Sequence, residues 1–198
     1  MSSFYGVNVI RDLYLVSSGL WLAFWVLWLV WGMITTRQRR VVKGQRGGTL
    51  PVWAIVLAVI LFRRYFLTHF LGSALWPGNL TTVIAGLLLE LLGLAVAVWA
   101  RYYLGSFWSG SVVLREGHKV VDTGPYRLVR HPIYSGILLA LVGSFLMEGA
   151  TFWLVALTAG ALGMWWKAWS EERLLTTELG EEYVSYRQRT RMLIPWLL

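Results

Sequence analysis

The chain has 198 residues, of which 57% are hydrophobic, 15% aromatic and 14% charged, with 13 Trp, no Cys and a net charge of +8. A soluble domain carries roughly a quarter charged residues; this deficit, with a mean hydropathy of +0.58, excludes disorder, a coiled coil and an ordinary soluble enzyme and marks an integral membrane protein. The lack of cysteine excludes a disulfide framework, a thiolate nucleophile and a Cys-bearing zinc site, and His69, His118 and His131 are too scattered to suggest a metal centre.

In chain order, Leu13 to Ile34 runs 22 residues without a charge, enough to cross about 30 Å of hydrocarbon as a helix. It is expected to be a span and not a cleaved leader, whose apolar core would be shorter. Trp21, Trp25, Trp28 and Trp31 repeat at helical spacing on one face, as a lipid-facing or helix-packing stripe does. The following loop, 35–50, carries Arg37, Arg39, Arg40, Lys43 and Arg46. Basic residues collect on the cytoplasmic side, so this loop is predicted inside and the N-terminus outside. Its position between two apolar segments also argues against nucleic acid as its partner.

Pro51 opens a second predicted helix that runs to about Gly72, and Leu80 to Ala100 forms a third, joined through the external turn Trp76-Pro77-Gly78-Asn79. Arg63, Arg64 and Glu90 fall deep in these two spans. Charges at such depth are costly unless paired, so Glu90 is expected to pair with Arg63 or Arg64, not to act in catalysis. After Arg101 the chain leaves the membrane into a polar segment, 101–132, on the cytoplasmic side. Ile133–Met147 and Phe152–Trp169, separated by Glu148-Gly149-Ala150, then form a short helical hairpin, and 170–198 is a charged amphipathic tail. The expectation is an all-α integral membrane fold of about five transmembrane helices within a single domain, 1–198. Three spans lie in 1–100, and 101–198 holds a catalytic region with a cytoplasmic pocket, on the same side as the C-terminus.

Two polar clusters flank the hairpin. The first holds His118, Lys119, Asp122, Tyr126, Arg127, Arg130, His131 and Tyr134; the second holds Lys167, Glu171, Glu172, Glu181, Glu182, Tyr183, Tyr186 and Arg189. Each residue has a plain structural use. Arg127 and Arg130 suit membrane-flanking anchors, His131-Pro132 suits a helix start, and Lys167 with Glu171 suits an i,i+4 ion pair. A short hairpin nevertheless brings both clusters to one membrane face, where together they make a candidate site.

The run Gly124-Pro125-Tyr126-Arg127-Leu128-Val129-Arg130-His131-Pro132-Ile133-Tyr134-Ser135-Gly136 resembles the G-x-Y-x-x-x-R-H-P-x-Y-x-G motif of the isoprenylcysteine carboxyl methyltransferases. Glu171-Glu172, Gly180-Glu181-Glu182-Tyr183, Tyr186, Arg189 and Pro195 resemble that family's C-terminal pattern, so the likeness covers about 115–198. It implies S-adenosylmethionine as cofactor in a pocket that is not a Rossmann fold. By matching motif positions, the cofactor would meet His118, Lys119, Val120, Val121, Tyr126, His131, Pro132, Ile133, Tyr134, Glu171 and Glu172. Arg130, Lys167 and Arg189 would serve an anionic acceptor, Lys167 standing where Arg occurs in eukaryotic members. The implied reaction is methyl transfer to a lipophilic or prenylated acceptor, foremost the carboxylate of an isoprenylcysteine-like substrate, with no metal. Such a displacement needs orientation more than a general base.

Two other readings stand beside it. Membrane sterol and steroid reductases share a similar R-H-P-x-Y hairpin and use NADPH, but a 2′-phosphate site would favour basic residues where Glu171-Glu172 stands. A non-catalytic membrane scaffold is the remaining alternative; a transporter is disfavoured by the absence of repeats and of a Gly/Pro-broken helix pair.

Overall fold

The computed structural model describes residues 2–36, 41–44, 74–109, 113–115, 117 and 119–195. Five α-helices lie within them: α1 (Ser2–Thr36), α2 (Leu80–Leu104), α3 (Pro132–Glu148), α4 (Thr151–Leu179) and α5 (Glu181–Arg189). Two are long and apolar enough to cross a bilayer, Asn8–Thr35 and Leu80–Phe107, while α3 is a shorter apolar helix of 17 residues. The expected span at 51–72 lies outside the described residues, as does most of the basic loop. One addition to the helical plan is a two-stranded antiparallel ladder, β1 (Val41–Gly44) with β2 (Val113–Arg115). It ties the loop after α1 to the segment after α2, so both sit at one end of the bundle.

Turn chemistry sets the helix ends. Asn79 caps α2: its side chain accepts from Thr82 N at 3.0 Å while Thr82 Oγ1 accepts from Asn79 N at 3.1 Å. Two orphan donors at the helix start are thereby satisfied. Gly149 closes α3 in the left-handed conformation, φ 59°, with its N–H donating to Phe145 O at 2.8 Å. A Cβ there would also lie 2.7 Å from Trp76 O, so the hairpin turn and the 74–79 turn require glycine at their junction. α4 does not stop at Trp169, where apolar character ends, but continues to Leu179. Residues 170–179 hold no proline or glycine, and charge alone does not end a helix.

The bundle centres on α2 against α3. A Cβ on Gly86 would meet Gly143 O at 2.5 Å, and one on Gly136 would meet Gly93 O at 2.6 Å. The two backbones therefore touch, as small-residue seams permit in membrane helices. α1 covers this pair with Phe24 and Trp28, which pack on Leu94, Ala97, Ile133, Ile137 and Ala140. The tryptophan stripe is thus a packing surface, with Trp21 Nε1 donating to Ser144 Oγ at 3.0 Å.

Glu90 is fully buried, and its Oε2 accepts hydrogen bonds of 2.8 Å from both Ser17 and Ser144. One carboxylate oxygen thereby joins α1, α2 and α3. The expected partners Arg63 and Arg64 lie outside the described residues. Arg101, after which the sequence reading takes the chain out of the membrane, is fully buried, and α2, expected to end at Ala100, continues past it to Leu104.

Candidate active site

The signature segment enters through a 3-10 turn, Gly124–Arg127, and then starts α3 with His131 at the N-cap and Pro132 at the first helical position. Pro has no N–H to leave unsatisfied there, so the motif is also a helix-start device. The backbone N–H groups of Arg130 and His131 donate to Arg191 O at 2.7 Å and Met192 O at 3.1 Å. Ser135 Oγ donates to Leu193 O, and Tyr186 OH donates to Tyr126 O at 2.7 Å. Residues 186–193 are therefore laced to the start of α3.

Arg130 is the centre of that lacing. Its Nε donates to Glu172 Oε1 at 2.6 Å, and its Nη1 donates to Arg187 O at 3.2 Å and Thr190 O at 2.5 Å. The Arg130 and Glu172 side chains are only 9% and 4% exposed. Burial raises the Glu172 carboxyl, but hydrogen bonds and charge from His131 and Arg130 outweigh it and hold the group below its ordinary range.

A second carboxylate, Glu171, faces the other way. Tyr134 OH lies 2.9 and 3.0 Å from its two oxygens, and Lys167 Nζ lies 3.8 Å from Oε1, one turn back on α4. His131 stands between the two carboxylates, Nδ1 3.6 Å from Glu171 Oε2 and Nε2 3.4 Å from Glu172 Oε1. Its ring stacks on Tyr134 with 1° between planes and 5.3 Å between centroids. Both side chains are thus fixed in angle by packing.

Arg130, His131, Tyr134 and Glu171 form the polar side of a cleft of about 860 Å³, counted out to its open mouth. Lys119, Val120, Val121, Tyr126, Arg130, His131, Ile133, Tyr134 and Glu171 all line it, and every one was singled out in the sequence. Pro132 and Glu172 stand behind this lining, buried. Lys167 lies beside Glu171, its Nζ also 5.4 Å from the Tyr134 ring centroid. Arg189 stands apart, 3.8 Å from Asp122 on an exposed flank. His118 lies outside the described residues. The sequence reading passed over the apolar wall, Leu104, Phe107 and Trp108 from the end of α2 with Leu174, Leu175 and Leu179 from α4. Its only sequence signal was the apolar spacing of 104–108 and 174–179. Burial keeps the Tyr126, Tyr183 and Tyr186 phenols above their ordinary range, so they are neutral, and the Tyr186 proton is already given to Tyr126 O.

The chain that builds this cleft has relatives among known proteins. The family profile of the phospholipid methyltransferases matches residues 81–182, from the first turn of α2 to the first turn of α5. The chain belongs to the phospholipid methyltransferase family. The methyltransferase kinship expected from the motif is thereby borne out. The chain is also 29% identical over 150 residues to the cobalt-zinc-cadmium resistance protein CzcN of Cupriavidus metallidurans, covering 75% of this chain and 64% of that one. It is 29% identical over 119 residues to protein-S-isoprenylcysteine O-methyltransferase B of Arabidopsis thaliana, covering 57% and 58%. The chain thus spans less than two thirds of the length of both relatives. Among solved structures, the fold resembles the eukaryotic intramembrane Ras methyltransferase ICMT, with a TM-score of 0.53 at 22% identity over 77% of this chain and 54% of that one.

Proposed function

We propose that this member of the phospholipid methyltransferase family is an integral-membrane enzyme that transfers a methyl group from S-adenosylmethionine to a lipophilic acceptor, foremost the carboxylate of an isoprenylcysteine-like molecule. The observation that carries the reading is the meeting, in one cleft, of Glu171, His131 and Tyr134 with a hydrocarbon wall that continues from a membrane-spanning helix. A sulfonium cofactor needs a carboxylate and aromatic faces, and the donor set suits it: Glu171 with Tyr126, Tyr134, Tyr183 and Tyr186.

The cofactor would supply an electrophilic methyl group, so that an O–C bond forms at the acceptor as the S–C bond breaks and no proton moves. The chain's part is then placement. Glu171, held at both oxygens by Tyr134 and flanked by Lys167, would take the ribose hydroxyls or the ammonium. Lys119, Val120, Val121 and Ile133 would close over the rest, with Pro132 and Glu172 supporting from behind. Of the cations proposed for the acceptor, Lys167 is the best placed. Arg130 is engaged by Glu172 and two carbonyls, and Arg189 stands against Asp122. Leu104, Phe107 and Trp108 would exclude water from the acceptor tail.

Calorimetry of the detergent-purified chain with S-adenosylhomocysteine and with NADPH tests the class. Micromolar binding of the first and none of the second is expected. The reverse result would establish a reductase instead.

A further inference from the structure

Trp108 has two sides. One lines the cleft; the other is pressed against α1, which contributes no lining residue among those described. The Arg101 guanidinium carbon lies 3.4 Å from the Trp108 ring centroid, and the ring of Trp28 meets Trp108 edge-on at 5.7 Å and 86°. A Cβ on Gly32 would come within 3.4 Å of Trp108 Cζ3 and 3.8 Å of Arg101 Nη2. These are van der Waals distances, so position 32 of α1 lies directly against both the indole and the guanidinium.

Arg101 is an unusual group to find there. It is fully buried, its carbon also lies 4.4 Å and 5.1 Å from the Trp28 and Trp31 ring centroids, and Nη2 donates to Thr35 Oγ1 at 3.5 Å. Among the described residues no hydrogen bond reaches its Nε or Nη1. A desolvated cation over an aromatic face is attracted to the ring quadrupole, and that attraction is directional. Leucine of similar bulk would fill the space without fixing the ring. The charge therefore adds a directional contact to Trp108 that packing alone does not.

We propose that Arg101 is a positioning residue that, by holding Trp108 against α1, sets the size of hydrocarbon tail the cleft accepts. The proposal rests on the reading of this cleft as the site of a lipophilic acceptor. It gives α1 a part in specificity through Trp28 and Gly32, without contact to the ligand.

The test measures binding to the purified full chain by calorimetry, with N-acetyl-S-farnesylcysteine, N-acetyl-S-butylcysteine and, separately, S-adenosylhomocysteine. Wild type should prefer the farnesyl ligand. Arg101→Leu frees the indole, and Gly32→Leu pushes it into the cleft; each should reduce the farnesyl-to-butyl preference at least tenfold and leave S-adenosylhomocysteine affinity unchanged. Arg101→Lys, which keeps a cation over the ring, should stay within threefold of wild type. In Gly32→Leu/Trp108→Ala there is no indole to push, so the preference should return. An unchanged preference in a folded Arg101→Leu variant overturns the proposal. Should that variant fail to fold, an unchanged preference in Gly32→Leu overturns it equally. Loss of S-adenosylhomocysteine binding in Trp108→Ala would make Trp108 a cofactor wall and also overturn it, and so would a wild type that does not distinguish the two tails. Failure of the methyltransferase reading is seen separately, as a wild type that binds no S-adenosylhomocysteine while still sorting the tails.

Discussion

Arg130→Leu should be among the most damaging substitutions in the chain, for reasons of folding and not of chemistry. The change removes the 2.6 Å contact to Glu172 and the donors to Arg187 O and Thr190 O. Glu172, 4% exposed, keeps Arg187 Nε at 3.2 Å and His131 Nε2 at 3.4 Å. Removing one partner of a buried pair costs about 3–5 kcal/mol, and a buried carbonyl left without a donor costs about 1–3 kcal/mol. Arg187, already 3.2 Å from Glu172 Oε2, offsets part of this, so the net expectation is about 4 kcal/mol. For a chain of this length that corresponds to roughly 8–16 °C in apparent melting temperature. Thermal denaturation in detergent would measure it, and hydrogen exchange should show residues 186–193 losing protection first. Because the carboxylate that loses its shortest contact is then itself absent, Arg130→Leu/Glu172→Leu should be more stable than the sum of the single changes predicts. Strict additivity in that cycle would refute the clamp.

Acid should undo the same contact. Glu172 titrates below the ordinary glutamate value of about 4.3, so its ionised form is favoured by folding; the stabilisation is complete above that value and drains away as pH falls through it and below. Denaturation midpoints should therefore drop below about pH 4 in wild type, and Glu172→Gln, less stable at neutral pH, should show a shallower acid slope; an equal slope counts against it. Glu171→Ala should weaken S-adenosylhomocysteine binding by at least about 1.4 kcal/mol, a tenfold change, with unchanged elution in detergent, and calorimetry reads it directly. Lys167→Met should lower turnover of an acidic acceptor on the order of tenfold while sparing cofactor affinity; equal turnover with N-acetyl-S-farnesylcysteine removes Lys167 from the acceptor site. Single-Cys labelling in this Cys-free chain should place Gln45 and the C-terminus on the cytoplasmic side and residues 1–12 and 73–79 outside. External labelling at Gln45 would invert the topology.

The polar half of the cleft was legible in the sequence because its members are neighbours along the chain. Arg130 and His131 immediately precede α3, Pro132 to Tyr134 begin it, and Lys167 with Glu171 are one turn apart on α4, so spacing grouped each set, and the hairpin and the motif resemblance joined the two. The role of Arg130 was not legible: its partner carboxylate is 42 residues away, and its other acceptors are backbone carbonyls, which no residue type announces. The burial of Arg101 was not legible either, for a different reason. A charge after an apolar run ordinarily marks the membrane boundary, and its three tryptophan neighbours come from α1 and from the turn after α2, which no local pattern joins. Hydropathy likewise placed the end of the last long helix near Trp169, whereas backbone propensity carries α4 on to Leu179. The β1–β2 ladder pairs segments about seventy positions apart and too short to show alternation.

The contact of α2 with α3 through Gly86, Gly93, Gly136 and Gly143 has a metric consequence. Where backbone meets backbone, no flexible side chain absorbs a longitudinal slip, so the seam works as an index mark between two rulers. One scale carries Leu104, Phe107 and Trp108, at and just beyond the end of α2; the other carries His131 and Tyr134 at the start of α3. A slip of one residue would offset the two scales by about 1.5 Å, and one of a full turn by about 5.4 Å. A misplacement of about 1 Å can cost a positioned reaction a hundredfold. The width of the cleft is therefore calibrated in the middle of the bundle, at four positions where even a methyl group would spoil the alignment.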